Sequence, residues 1–110
     1  MILSIRPEPG GSATVSAGKE LGLTIESCPL SELHPVAWSM PPGEFDGLLL
    51  GSANALKYGG SLVDKFVDKP VYTVGKATAA AAKERGFAVA LAGSGGLQAV
   101  LDDLAGKRLR

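Results

Sequence analysis

The chain has 110 residues, of which 45% are hydrophobic, 20% charged and 5% aromatic, so it is long enough for one globular core and its composition excludes disordered and fibrous proteins. Eleven basic residues balance eleven acidic ones. No overall field attracts nucleic acid or an anionic membrane, so we expect neither as a partner, and a charged ligand would have to be held by local groups.

Cys28 is the only cysteine, which excludes a disulfide within the chain and a zinc site built from thiolates. No apolar run approaches the roughly 20 residues that cross a bilayer. The apolar start, MILSI, is too short for a signal peptide. We therefore expect a cytoplasmic protein without a bound metal.

The first elements are predicted as strand, helix and strand. The strand MILSI stops before Pro7, which lacks the amide hydrogen that a sheet needs. Ser12 is expected to cap a helix that runs through about Leu21, Gly22 supplies the left-handed position after it, and LTIESC is the second strand. This first βαβ segment covers residues 1–30.

Residues 31–44 are predicted to be a proline-rich linker and hinge. The stretch PLSELHPVAWSMPPGE, residues 29–44, contains four prolines and shows no period of either helix or strand. A flexible connection here would let the first segment swing away, and two copies could exchange residues 1 to about 30. We therefore expect a homodimer formed by segment exchange; the alternative is a closed monomer.

Residues 45–110 are predicted to form a βαβαβα segment. FDGLLLGS has the continuous apolar run of a central parallel strand. The helix that follows is interrupted at Gly59-Gly60, and KPVYTVG is the fourth strand. An Ala-rich helix runs from about Ala77 to Arg85. The fifth strand is FAVALAG, and the last helix is GGLQAVLDDLAG. The alternation predicts an α/β fold: a flavodoxin-like, three-layer α/β/α domain with a parallel five-stranded sheet.

Ligands of open parallel sheets bind outside the carboxyl ends of the strands. The residues predicted at those ends are Arg6, Gly51-Ser52, the loop from Gly75 to Thr78, and residues 93–96. Glycine at position 75 would let an anion approach the free amides of the next helix, Thr78 and Ser52 would add hydroxyl donors, and Arg6 would grip a carboxylate. The alternative is that Ser52 and Thr78 only cap helices.

Several common sites do not fit these loops. GSGG lacks the GxGxxG spacing of a dinucleotide site, and no Walker P-loop is present. A phosphoreceiver would need carboxylates where the chain has Arg6 and Ser52. LLLGSANA is not the GxSxG turn of a hydrolase, and His34, the only histidine, lies in the linker. No catalytic residue is identified from the residues alone.

The chain resembles uroporphyrinogen-III synthases, mainly through FDGLLLGSANAL and KPVYTVGKATAAAAKERGF. That family has an aspartate opening strand three, a Ser-x-Asn-Ala-like turn after it, and a Val-Gly-x-x-Thr turn before an Ala-rich helix. The residues that match in type and order are Asp46, Ser52, Asn54, Ala55, Val74, Gly75 and Thr78. The resemblance covers the whole chain and is to the amino-terminal half of such an enzyme.

The resemblance implies a cofactor-free lyase of haem and other tetrapyrrole biosynthesis, which cyclises hydroxymethylbilane with inversion of ring D. This linear tetrapyrrole carries eight carboxylates, which suits amides and hydroxyls at strand ends. The substrate-binding residues that we predict are Arg6, Ser52, Ala53, Asn54, Gly75, Lys76 and Thr78.

The chain is shorter than the family's pattern. Family members are roughly twice as long and place two similar α/β domains on either side of a cleft. A tyrosine of their second half, viewed as an acid for the departing hydroxyl, has no counterpart here. Tyr58 and Tyr72 lie within the predicted helical stretch and the fourth strand, so we assign that role to neither. We expect the chain alone to convert hydroxymethylbilane poorly. The alternative class is a flavodoxin-like binding or interaction module without chemistry, because a fold does not fix a function.

Overall fold

The computed structural model describes residues 1–106 and confirms the predicted alternation of strands and helices. The last four residues of the predicted segment 45–110 lie outside the described residues. In chain order the elements are β1 Ile2–Ser4, α1 Gly10–Glu20, β2 Ile25–Ser27, β3 Leu48–Leu50, α2 Asn54–Tyr58, the 3-10 helix η1 Ser61–Phe66, β4 Pro70–Thr73, α3 Lys76–Glu84, β5 Ala88–Ala92 and α4 Leu97–Leu104.

The described strands form two parallel sheets, one of two strands and one of three. The α/β class with parallel pairing is therefore confirmed, whereas a single flavodoxin-like sheet of five strands stays a prediction. The chain divides into two compact units, unit 1 (Met1–His34) and unit 2 (Pro35–Arg110). Residues 28–47 contain no regular element, as expected from the prolines.

Unit 1 consists of the parallel pair β1 and β2 with helix α1. Ile2 pairs with Ile25 and Ser4 with Ser27. Gly18 lies where α1 crosses β2, and a Cβ there would come within 2.9 Å of Cγ1 of Ile25. The small residue lets the helix lie directly on its strand.

The start of α1 differs from the sequence prediction. The helix begins at Gly10, so Ser12 is its third residue and does not cap it. Instead, Oε2 of Glu8 accepts a hydrogen bond from the backbone amide of Ser12 at 3.1 Å, and Oε1 accepts one from the Ser27 hydroxyl at 3.4 Å. Glu8 therefore satisfies one of the amides that a helix start leaves without a partner.

Protonation of Glu8 is expected to weaken the start of α1. Hydrogen bonds from the side chain and amide of Ser12, and then from Ser27, hold the pKa of Glu8 below its ordinary value of 4.5. A lowered pKa means that the stabilisation is complete above pH 4.5 and is lost as the pH falls through the lower value. The Ser12 amide shift, followed by NMR from pH 6 to 3, should show this step. Glu8→Gln should abolish the step, Glu20→Gln should leave it, and its persistence in Glu8→Gln would contradict the assignment.

Unit 2 contains the three-stranded sheet, in which β4 lies between β3 and β5. Leu48 pairs with Val71, and Val71 pairs with Val89 on its other side. Among the described strands β3 pairs only with β4, and Leu49 is 42% exposed, so a central position of β3 stays a prediction together with the five-stranded sheet. The apolar run LLL alone does not show how many neighbours a strand has.

The core of unit 2 lies between β4 and the helices that cover it. Its buried members are Leu50, Leu56, Val63, Val71, Ala82 and Phe87. The predicted break at Gly59-Gly60 is confirmed, because α2 ends at Tyr58 and Gly60 has φ 69°. Arg85, at the end of α3, donates to the carbonyls of Leu56 and Gly60 and to Oδ1 of Asp64. This arginine ties α3 to the broken helix.

Among the helices of residues 1–106, none has the length and apolar character required to cross a membrane.

Candidate functional site

The carboxyl ends of β3, β4 and β5 lie side by side at one edge of unit 2, because the three strands are parallel neighbours. Two hydrogen bonds continue the pairing just beyond the strands. The Val74 amide donates to the Leu50 carbonyl at 3.2 Å, and the Gly93 amide donates to the Thr73 carbonyl at 2.8 Å. The predicted loops at Gly51-Ser52 and Gly75 therefore follow directly paired strands.

Gly93 permits this close approach of β5 to β4. A Cβ at this position would lie 2.8 Å from the carbonyl oxygen of Val74 and 2.6 Å from Cγ2 of Val100. A backbone oxygen cannot move aside as a side chain can, so the fold itself requires a glycine here. Gly93 thus has a packing role.

Thr73 shapes the loop from β4 to α3, a role that the sequence analysis missed. Its side chain is fully buried, and its Oγ1 donates to the Gly75 carbonyl at 3.0 Å. Gly75 is extended, with φ −137° and ψ 167°, and α3 begins at the next residue. A threonine that ends a strand two residues before a glycine was the signal available in the sequence.

Helix α3 begins at the edge of unit 2, and within residues 1–106 its first amides have no hydrogen-bond partner. Its first internal hydrogen bond runs from the Ala79 amide to the Gly75 carbonyl at 3.2 Å, so the amides of Lys76 to Thr78 precede the hydrogen-bonded ladder. No side chain caps this helix and its first turn holds no acidic residue. The site combines a partial positive charge with the exposed Lys76 cation.

Thr78 does not occupy the capping position that was its alternative role. Gly75 is the N-cap, and Thr78 is the third residue of α3, with only 7% of its surface exposed. Its hydroxyl is a possible donor close to the first amides of the helix. It would add to the amides rather than replace them.

Ser52 has a structural role in addition to the one proposed from sequence. Its Oγ accepts a hydrogen bond from the Asn54 amide at 3.2 Å, at the start of α2. Ala53 lies between them as the N-cap residue of this helix. A hydroxyl that accepts one hydrogen bond keeps its own hydrogen for another acceptor, so both roles are compatible at Ser52.

Gly75 and Gly51 are glycines that the fold does not require. A Cβ at either position would meet nothing within 4 Å, and neither residue has a positive φ. Alanine could therefore stand at both positions without strain. This openness leaves the backbone of the β4–α3 loop accessible to a ligand.

Arg6 is the predicted site residue of unit 1. It follows β1, is exposed, and its Nη1 donates to the Gly10 carbonyl at 3.3 Å and to Oγ1 of Thr14 at 3.1 Å. The structure thus brings six of the predicted residues to one edge of unit 2 and places the seventh in unit 1.

Two cavities in unit 2 lie away from the predicted residues. One, of about 450 Å³, is lined by Phe45, Phe66 and Lys69 among others, near the amino ends of β3 and β4. Another, of about 300 Å³, lies beside Trp38, whose indole N–H donates to the Gly59 carbonyl at 2.7 Å. The predicted site is by contrast an open edge, which suits a ligand held by many polar contacts.

Among residues 1–106, no group of three or more His, Cys, Asp or Glu side chains could hold a metal ion.

The fold is that of an α/β protein with parallel strands. At the carboxyl ends of these strands lie the first amides of α3 and the cation of Lys76, groups that suit an anion. Residues 12–109 match the family model of uroporphyrinogen-III synthase HemD, so the chain belongs to the uroporphyrinogen-III synthase family. The match includes all the predicted residues of unit 2 and begins after Arg6. The family implies a tetrapyrrole substrate and tetrapyrrole biosynthesis. A search of curated proteins found no match.

Proposed function

We propose that this chain binds hydroxymethylbilane and serves its cyclisation to uroporphyrinogen III, a lyase reaction of the cytoplasm that loses water and inverts ring D. Family membership supports the substrate class. The observation that carries the proposal is Gly75, which the fold does not require and which opens the start of α3 to an anion. Folding a flexible linear substrate so that its ends meet is catalysis by positioning.

The proposed binding groups of unit 2 come from two neighbouring loops. Gly75 and Lys76 offer backbone amides and a cation, and Thr78 offers a hydroxyl in the first turn of α3. Ser52 and Asn54, with Ala53 between them, line the end of the adjacent strand β3. Amides, hydroxyls and one cation form a surface that would bind several carboxylates without a metal or cofactor.

Arg6, which lies in unit 1, is proposed to bind a carboxylate of the substrate. A guanidinium offers donors in a planar fork that matches a carboxylate. Within residues 1–106, Arg6 forms no ion pair although Glu8 is two residues away. Its positive charge is therefore available to an external anion.

Replacing Gly75 by Ala is expected to weaken tetrapyrrole binding about tenfold while leaving thermal stability unchanged, because the new methyl group faces only the ligand. The measurement is a titration of the full chain with uroporphyrin, which carries the same eight carboxylates. A water-soluble porphyrin with cationic side chains is the control for binding to the ring alone.

Gly93→Ala is the matched control for an added methyl group, since its Cβ would meet the protein itself. It should lower stability, whereas Gly75→Ala should not. Equal binding of the anionic and cationic porphyrins would contradict the proposal.

The reaction itself is followed by the ratio of isomer III to the isomer I that forms spontaneously. A ratio above the uncatalysed one supports cyclisation by this chain. The uncatalysed ratio restricts the proposal to binding.

We also propose that two copies exchange residues 1 to about 30 and complete flavodoxin-like domains in this way. The boundary between units falls inside the proline-rich stretch. Ile2 and Leu3 of strand β1, and Ile5 just after it, are 50%, 62% and 55% exposed, so apolar side chains on both sides of this strand are about half exposed. Sedimentation at micromolar concentration should show a dimer, and an 11.2 kDa species alone would contradict it.

A further inference from the structure

Gly10 leaves the space that the side chain of Arg6 occupies. A Cβ on Gly10 would lie 2.6 Å from Cζ and 3.0 Å from Cδ of Arg6, and would also meet its Nε. These distances are shorter than carbon contacts in proteins allow. Any residue other than glycine at position 10 would therefore push the guanidinium off the first turn of α1.

The helix itself gives no reason for a glycine at this position. Gly10 is the first residue of α1 and its φ is not positive. Alanine is the better helix former. The need for glycine at position 10 thus comes from the Arg6 side chain, to which the three atoms nearest to the missing Cβ belong.

Thr14 fixes the same side chain from one turn further along the helix. Nη1 of Arg6 donates to Oγ1 of Thr14 at 3.1 Å and to the Gly10 carbonyl at 3.3 Å. Both bonds use the same nitrogen. Within residues 1–106 the other terminal nitrogen, Nη2, donates to no protein group, so that edge of the fork can bind a carboxylate oxygen.

We propose that Gly10 and Thr14 are positioning residues that hold Arg6 ready for a carboxylate of the substrate. The inference rests on the proposed function, because it takes Arg6 as a binding group. A long exposed arginine normally loses rotamer freedom when it binds, and an orientation fixed beforehand removes that cost. The two residues therefore set the affinity of Arg6 without touching the ligand.

The test compares Gly10→Ala, Thr14→Val and Arg6→Ala in the full chain by titration with uroporphyrin. Arg6→Ala should weaken binding about tenfold, the loss of one charge-assisted hydrogen bond. Gly10→Ala and Thr14→Val should each weaken it about fivefold, the cost of ordering one long side chain. Thr14→Ser, which restores the hydroxyl, should restore binding, and Gly10→Ala combined with Arg6→Ala should bind no worse than Arg6→Ala alone.

A spectroscopic readout separates positioning from a general effect on the helix. The Nε–H signal of Arg6 in NMR spectra should move in Gly10→Ala and stay in Ser16→Ala, a matched change at an exposed position of α1. An unmoved signal in Gly10→Ala overturns the inference even if binding falls. Full affinity in Gly10→Ala with weakened Arg6→Ala also overturns it and leaves the proposed function standing. Absence of uroporphyrin binding by the unmodified chain instead overturns the proposed function, while the NMR shift still reports whether Gly10 positions Arg6.

Discussion

Replacing Phe87 by Ala is expected to lower the free energy of unfolding by about 3 to 5 kcal/mol, the range for removing a buried aromatic side chain. Phe87 is 4% exposed and belongs to the buried cluster of unit 2. Its amide also donates to the Ala82 carbonyl at 3.0 Å, where the chain leaves α3 for β5. The ring thus holds α3 against the sheet whose edge carries the proposed site.

Urea unfolding of the full chain measures this loss. Domains of this size are stable by about 5 to 15 kcal/mol in total, so Phe87→Ala should remove a large share and loosen the site as well. Phe87→Leu is the graded control, because a substitution that keeps most of the volume costs less than about 1.5 kcal/mol. A loss below about 1 kcal/mol in Phe87→Ala would show that the ring is not part of the core.

The sequence is sufficient to predict where elements occur but not which strands pair. Apolar runs and glycines predict all five strands and the break at Gly60, because these features determine the backbone conformation only of the residues near them. Pairing order depends on contacts between distant segments. The position of β3 at the edge of its sheet, with Leu49 exposed, therefore had no local signal.

The start of α1 shows why capping was assigned to the wrong residue. Ser12 is a good capping residue by type, but the helix begins before it and Glu8 accepts the Ser12 amide instead. A carboxylate that reaches over Pro9 does not fit the usual spacing of a capping residue. Side chains that fold back onto the chain, as Glu8 and Arg6 do, are set by geometry rather than by residue type.

The candidate site was predictable in its location and not in its detail. The carboxyl ends of parallel strands follow from the alternation of strands and helices, and this places Gly75 and Ser52 at one edge of unit 2. The spacing of Thr73 and Gly75 is visible in the sequence, but the hydrogen bond by which Thr73 holds the Gly75 carbonyl is visible only in the structure. The distinction between Gly93, required by packing, and Gly75, free of contacts, likewise needs coordinates.

Replacing Thr78 by Val is expected to weaken uroporphyrin binding by about 1.5 to 3 kcal/mol, the value of a hydrogen bond to a charged group. Valine keeps the branched shape of threonine, and the position is 7% exposed in the first turn of α3. Since Thr78 is not the capping residue, loss of its hydroxyl should leave the helix intact. Thermal stability should change little.

Thr78→Ser is the complementary variant, because it keeps the hydroxyl and removes the buried methyl group. It should lose about 0.5 to 1.5 kcal/mol of stability, the cost of deleting one buried methyl, and keep its affinity for uroporphyrin. Ser52→Ala should lose both stability and affinity for uroporphyrin, since the Ser52 hydroxyl also accepts a hydrogen bond from the Asn54 amide. Melting curves and titrations on the same samples separate these effects. If Thr78→Val binds uroporphyrin as tightly as the unmodified chain, the hydroxyl serves packing alone and the anion is held by the amides of α3 and Lys76.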